Sequence, residues 1–203
     1  MAILNKPTSK RCSVPTELPY TNRKGYRYYL HRVATKTGKS RYLFSRTPSK
    51  ESFRKTPPGF RVVESVNGVV SLARAGASPI TGNEVRIVQA VLGRDQRHAR
   101  YAVEARKKAL LVLEPIGGLD TAAAKELGLD AATAERYFER HVQYVPVLRF
   151  TLVDPAKREF LAERMCYRSR IDGWLSLNDV GTVLELARRY VPHLGKDSFY
   201  ELF

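Results

Sequence analysis

Cysteine is nearly missing from this chain: Cys12 and Cys166 are the only two in 203 residues. Two thiols so far apart exclude a disulfide framework and a cysteine-rich zinc site, and free thiols fit a reducing compartment. Long apolar runs are missing too. No stretch approaches a membrane span, and the first eighteen residues lack the continuous apolar core of a secretory leader. The expectation is a cytoplasmic protein with no membrane partner. Histidine is scarce: His31, His98, His141 and His193 stand apart, with no carboxylate or cysteine at ligand spacing. Gly117-Gly118 lacks the strand-to-helix setting and the Lys-Ser/Thr of a phosphate loop. Asp154, Glu159 and Glu163 fall along one predicted hairpin, but the lysine of a metal nuclease is missing there. Salt bridges to Arg158 and Arg164 are the simpler expectation. No catalytic, cofactor-binding or metal residue is therefore assigned, and the balance lies against an enzyme.

Acid is the other shortage, and it is local. The formal net charge is +15. Through Arg74 the chain carries 16 Lys and Arg against 3 Asp and Glu; from Ala75 onward it carries 19 against 17. Nearly all the excess therefore lies in the first third, a distribution that fits a polyanionic partner better than a general solubility device.

The patterning predicts an α+β fold: a basic N-terminal antiparallel sheet module, then a mixed domain of hairpins and helices. Residues 1–19, rich in Pro, Ser, Thr and Lys, read as a disordered basic arm that includes Lys10-Arg11. Residues 20–75 read as a basic four-stranded antiparallel sheet, and 83–203 as a near-neutral α+β domain. In the first module Tyr26 to Val33 alternates as a strand, with Tyr28 and Leu30 on one face and Arg27, Tyr29, His31 and Val33 on the other. Thr35 to Lys39 turns the chain, and Arg41 to Arg46 returns with Tyr42 and Phe44 on one side. Thr47 to Gly59 carries three prolines and reads as a loop. Asn67-Gly68 predicts a type I′ hairpin turn that pairs Val66 with Val69, Val63 with Leu72 and Arg61 with Arg74.

Beyond the linker at Ala75–Gly82, Asn83 is expected to cap a helix through about Leu92. Hairpins are expected at Tyr101–Glu114 and Val145–Tyr167, with about four helices in all. Asp120 and Asp130 each open a short helix, and Asp172-Gly173 turns the chain before a last amphipathic helix over Gly181–Leu194. The single tryptophan, Trp174, reads as a core or interface anchor.

The runs Tyr28-Tyr29-Leu30-His31, Thr35-Lys36-Thr37-Gly38-Lys39 and Arg41-Tyr42 resemble a family of bacterial hypothetical proteins. So do Cys166-Tyr167-Arg168, Asp172-Gly173-Trp174 and His193 to Phe199. The resemblance spans the chain past Tyr20 and implies a single family fold without an established activity.

Two segments suit nucleic acid, which offers phosphates to cations and unstacked bases to flat side chains. The basic hairpin supplies Arg23, Lys24, Arg27, Lys36, Lys39 and Arg41, with Tyr29 and His31 on the face of Arg27. Residues 121–140 match the spacing of a helix-turn-helix, through Ala124, Gly128, Leu129, Thr133, Ala134 and Tyr137. The second helix of that pair carries Asp130, Glu135 and Glu139, which phosphates repel, so a structural helical hairpin is preferred. The leading expectation is a non-catalytic protein that binds DNA or RNA, or associates with a nucleoprotein, through the basic, Tyr-rich hairpin. The alternative is an interaction subunit docking an acidic protein, and a second alternative is an enzyme of unrecognised chemistry.

Overall fold

The computed structural model describes residues 17–38, 40–76, 78–117, 124, 126–167 and 173–202. The chain divides after Gly76 into two compact units. The architecture is α+β, with an N-terminal antiparallel sheet module followed by a mixed unit.

In the first unit β1 (Tyr20–Thr21), β2 (Arg27–Ala34) and β3 (Ser40–Ser45) form a three-stranded sheet in that order, and β4 (Phe60–Glu64) pairs with β5 (Val70–Arg74) in a second sheet. The expected single four-stranded sheet is thus two sheets, for a local reason. The proline-bearing loop after β3 folds back to β2, where the Phe53 amide donates to Leu30 O (3.0 Å) and the Leu18 amide donates to Arg54 O (2.9 Å). Side chains, not a backbone ladder, join the two hairpins. Tyr42 meets Phe53 and Phe60 edge-on at 5.5 and 5.6 Å, around a fully buried Leu30.

The β4–β5 turn also departs from expectation. The observed register sets Arg61 opposite Ala73 and Phe60 opposite Arg74, one residue from the predicted pairing. Gly68 N donates to Ser65 O (2.9 Å), and Gly68 alone takes positive φ, +75°, whereas a type I′ turn also needs it at Asn67. This is a three-residue turn with a glycine bulge. It removes the Arg61–Arg74 clash that the predicted register created, because a one-residue slip exchanges the faces of a strand.

Buried Asn22 then fastens that turn to β1. Its Nδ2 donates to Gly68 O (2.7 Å), while its Oδ1 accepts from the amides of Tyr26 (2.8 Å) and Lys24 (3.1 Å). A Cβ at Gly68 would lie 2.9 Å from Asn22 Nδ2. Gly68→Ala is therefore expected to cost more than Gly59→Ala. Gly59 has the same backbone hand (φ +77°) but open space around it. Left-handed backbone alone costs about 1–2 kcal/mol, and the displaced amide adds about 1 kcal/mol or more. Urea unfolding of the two variants measures the difference, and equal losses would show that the clasp contributes nothing.

The second unit is a five-stranded antiparallel meander. Its strands are β6 (Ala102–Arg106), β7 (Ala109–Ile116), β8 (Gln143–Asp154), β9 (Glu159–Cys166) and β10 (Gly173–Thr182), each paired with its sequence neighbour. Helices α1 (Gly82–Leu92) and α3 (Val183–Tyr190) cover one sheet face, and α2 (Ala131–His141) lies between β7 and β8 in sequence. The core is read from alternation: Leu110 and Val112 of β7, Leu148, Phe150 and Leu152 of β8, and Phe160 and Ala162 of β9 meet Val88, Leu92, Leu186 and Tyr190 of the helices.

Both covering helices open on the same device, a threonine and a glutamate three residues on. Thr81 with Glu84 caps α1, in place of the expected Asn83, and Thr182 with Glu185 caps α3. Asp130 caps α2 as expected, while Asp120 lies outside the described residues. β10 was not expected. Its alternation breaks between Ser176 and Val180, where the register shifts and Asn178 takes φ +52°. No helix among the described residues is long and apolar enough to cross a membrane.

Two carboxylates of this unit sit against arginines. Arg149 Nε donates to Glu163 Oε2 (2.7 Å) and its Nη2 to Oε1, with Thr151 Oγ1 donating to Oε2 at 2.5 Å. Arg158 Nε donates to Glu84 Oε1 at 2.8 Å. Burial pushes both carboxyls up, but these donors outweigh it and hold both below the ordinary value of 4.5. A folded pKa below the unfolded one adds stability that is complete above the unfolded value and disappears as pH falls through the folded one. The unit is therefore expected to lose stability as pH falls below about 4.5, and Glu163→Gln to flatten that acid limb. Urea midpoints across the acid range measure it; an unchanged limb would show that the pair adds nothing.

Candidate nucleic-acid interface

The β2–β3 hairpin has two chemically different faces, set by its register. Leu30 stands opposite Phe44, and Arg32 opposite Tyr42, so Tyr28, Leu30, Tyr42 and Phe44 turn toward the aromatic cluster. His31 opposite Leu43, Val33 opposite Arg41 and Tyr29 opposite Ser45 place the other set outward, with Arg27 at its end. Arg27, Tyr29, His31 and Arg41 therefore share one face, with Lys36 exposed in the connecting turn. Lys39 lies outside the described residues. The turn closes as the β4–β5 turn does: Gly38 N donates to Thr35 O (2.9 Å) with φ +76°.

The eight residues singled out in the sequence do not act alike. Arg23 is committed inside the unit: its amide and Nε donate to Glu64 Oε1 at 3.0 and 3.2 Å, and its Nη2 to Ser65 O. Tyr20 completes that site by donating to Glu64 Oε2 at 2.8 Å. Burial and the carboxylate push its phenol up to about 12. Half-buried Lys24 lies beside Gly68. His31 Nε2 donates to Thr47 O (3.1 Å), and its Nδ1 faces Ser52 Oγ at 3.5 Å, so its ring holds the following loop in place. Arg27, Lys36 and Arg41 are exposed and have no ion-pair partner among the described residues.

Charge balance differs sharply between the units. In the second, acids take up arginines throughout: Asp95–Arg97, Glu104–Arg106, Glu135–Arg100, Glu163–Arg149, Glu84–Arg158 and Asp179–Arg189. In the first, only three acids face the cations, and one of them, Glu64, is taken by Arg23.

Two features were missed in the sequence. Arg46 lies over the Tyr26 ring at 4.0 Å, a cation–π contact. Its signal was its place on the return strand, one position beyond the Tyr29–Ser45 pair and so across from Tyr28. The second is a cleft of about 390 Å³ on the outward face, lined by His31, Val33, Leu43 and Ser45 of the strands and by Thr47 and Glu51 of the loop, among others.

Other candidates dissolve into structure. Glu163 pairs with Arg149 across the ladder, and Arg158 with Glu84. Arg164 is buried and donates to Leu202 O and Tyr200 O, both at 3.2 Å. Asp154 Oδ1 accepts from the amides of Ala156 (2.8 Å) and Lys157 (3.0 Å), closing its own turn. Among the described residues no three His, Cys, Asp or Glu side chains gather as a metal would need. Nε2 of buried His98 donates to Leu194 O (3.1 Å), and Nδ1 of His193 lies 2.9 Å from Ser198 Oγ. Trp174 is half-buried under the Arg149 guanidinium, 4.2 Å away. In the helix-turn-helix segment Thr121 to Ala123 and Lys125 lie outside the described residues. In α2 the buried residue is Phe138, whereas the expected anchor Tyr137 is 45% exposed and stacks on His141. Glu135 pairs with Arg100 at 3.0 Å.

Compared with known families, with curated proteins and with solved structures, the chain matches none.

Proposed function

We propose that this protein binds nucleic acid in the cytoplasm, without catalysing a reaction on it, through the outward face of the β2–β3 hairpin. One observation carries the reading: Arg27, Lys36 and Arg41 project from a unit whose acids are too few to neutralise them. Cations in that condition gain most from a polyanion, because each phosphate they neutralise releases a condensed counterion. Tyr29, half-buried on the same face, offers a ring edge for base contact. Arg23 and Lys24 belong to the scaffold that holds the hairpin, and His31 to the loop beside it.

The test is a titration of labelled single- and double-stranded DNA and RNA with the full chain at low salt, repeated as salt rises. A linear fall of log affinity with log salt supports the reading, and no binding to any of the four at low salt removes it. Exposed Val33 and Leu43 on the same face favour the second reading, an acidic protein partner that also buries apolar surface. That reading predicts freshly purified protein free of nucleic acid by its absorbance ratio, and no affinity for any of the four probes.

A further inference from the structure

We propose that the cleft beside His31 seats an unpaired guanine, with the Glu51 carboxylate accepting hydrogen bonds from the base edge; this rests on the nucleic-acid reading above. Glu51 is the feature that a phosphate-gripping surface alone leaves unexplained. It is one of three acids among sixteen cations in the first third of the chain, it lines the cleft, and it has no ion-pair partner among the described residues. A carboxylate there repels phosphate but accepts from N–H groups.

Besides Arg32, whose Nε donates to Ser40 Oγ (2.8 Å), the cleft's other chemistry fits a base. Its floor includes Val33 and Leu43, 43% and 37% exposed, large apolar side chains that a flat ring would cover. Its wall is fixed before any ligand arrives: the Thr47 amide donates to Ser45 Oγ (3.0 Å), the Ser49 amide to Ser52 Oγ (3.0 Å), and the Glu51 amide to Ser49 Oγ (3.3 Å). These bonds, with His31 on Thr47 O, engage the hydroxyls of Ser45, Ser49 and Ser52, while the Glu51 carboxylate has no ion-pair partner among the described residues. Arg41, opposite Val33 on the same face, is placed for the adjoining phosphate.

The choice of base follows from donor geometry. Guanine presents two adjacent donors, N1–H and the N2 amino group, which match the two oxygens of one carboxylate. Adenine and cytosine set a single amino group beside a ring acceptor that a carboxylate repels, and thymine and uracil flank their one N–H with carbonyls. The same edge is engaged in a duplex, so the cleft selects single strands.

The experiment measures anisotropy of labelled thymine (or uracil) strands carrying spaced guanines, adenines or inosines, as DNA and as RNA, against the full chain and Glu51→Gln. The unmodified protein is expected to favour guanine over adenine about tenfold, with inosine, which lacks the N2 amino group, in between. Glu51→Gln is expected to bring the ratio to one or below, because an amide side chain pairs well with adenine. Affinity for the plain thymine strand should hold or rise as the repelling charge goes. Equal binding of guanine and adenine strands, or a preference that survives in Glu51→Gln, overturns the guanine site while leaving phosphate binding intact. No binding of any strand overturns both. Glu51 is exposed on a loop, and an unchanged melting curve for the variant excludes misfolding as the cause.

Discussion

Replacing Arg27, Lys36, Lys39 and Arg41 together by glutamine is expected to weaken binding of a short single strand by roughly 10²–10³-fold at low salt and to reduce the salt slope by about 3. The slope is the decisive number. Each cation that meets a phosphate of a single strand contributes about 0.7 to it, so four lost contacts change it by a readable amount. A matched control removes the same charge elsewhere: Lys107, Lys108, Lys157 and Lys196 are exposed and lie in the second unit. Their replacement by glutamine should leave the slope nearly unchanged. If both quadruple variants lose affinity equally, net charge and not the hairpin carries the binding, and the interface assigned to β2–β3 is wrong. Arg23→Gln makes a finer comparison. Its guanidinium is spent on Glu64 and Ser65, so it should cost folding stability more than it costs binding.

The largest expected stability effect is at Phe150. This ring is fully buried at the centre of the middle strand of the five-stranded sheet, between β7 and β9 and under the helices. Phe150→Ala removes a side chain that the neighbouring strands cannot collapse onto, and a loss of about 3–5 kcal/mol is expected. A loss of that size is a large share of the roughly 5–15 kcal/mol that holds an ordinary domain folded. Tyr137→Ala is the contrast. Its ring stacks on His141 at 4.0 Å but stays 45% exposed, so its loss should cost less than about 1 kcal/mol. Urea unfolding of both variants ranks them. The reverse order, with Tyr137 costing more, would restore the helix-turn-helix phase in which Tyr137 is an anchor.

Local pattern carried the reading of the fold a long way, and the places where it failed share a cause. Alternation in β2 and β3 placed Leu30, Tyr42 and Phe44 inside and Arg27 and Arg41 outside, and Asp130 announced α2 correctly. The β4–β5 register was missed because Asn67-Gly68 suits two turn types, and the deciding hydrogen bond comes from Asn22, forty-six positions earlier. Asn83 looked like a helix cap because it is an asparagine before an apolar period. The true signal was the spacing of Thr81 and Glu84, repeated at Thr182 and Glu185. β10 was hidden by its own bulge. Of the candidate interface, the cations were legible as composition. What sequence could not separate was Arg23, neutralised by Glu64 of β4, from Arg27, which has no ion-pair partner among the described residues. The cleft was invisible for the same reason: Glu51 belongs to a loop whose course depends on where Phe53 and His31 find their partners.

The two outer strands of the meander have a bearing on how this molecule meets others. An open sheet offers its rim to any extended chain that needs hydrogen bonds, and proteins with long flat rims tend to stick to one another. Here one rim, β6, is only five residues long and carries the Glu104–Arg106 pair, while the other, β10, is kinked where Asn178 turns left-handed. Neither makes a good template for strand addition. Recruitment of a neighbour by this unit is thereby steered toward side-chain surfaces, which are selective, and away from the promiscuous zipper of backbone to backbone.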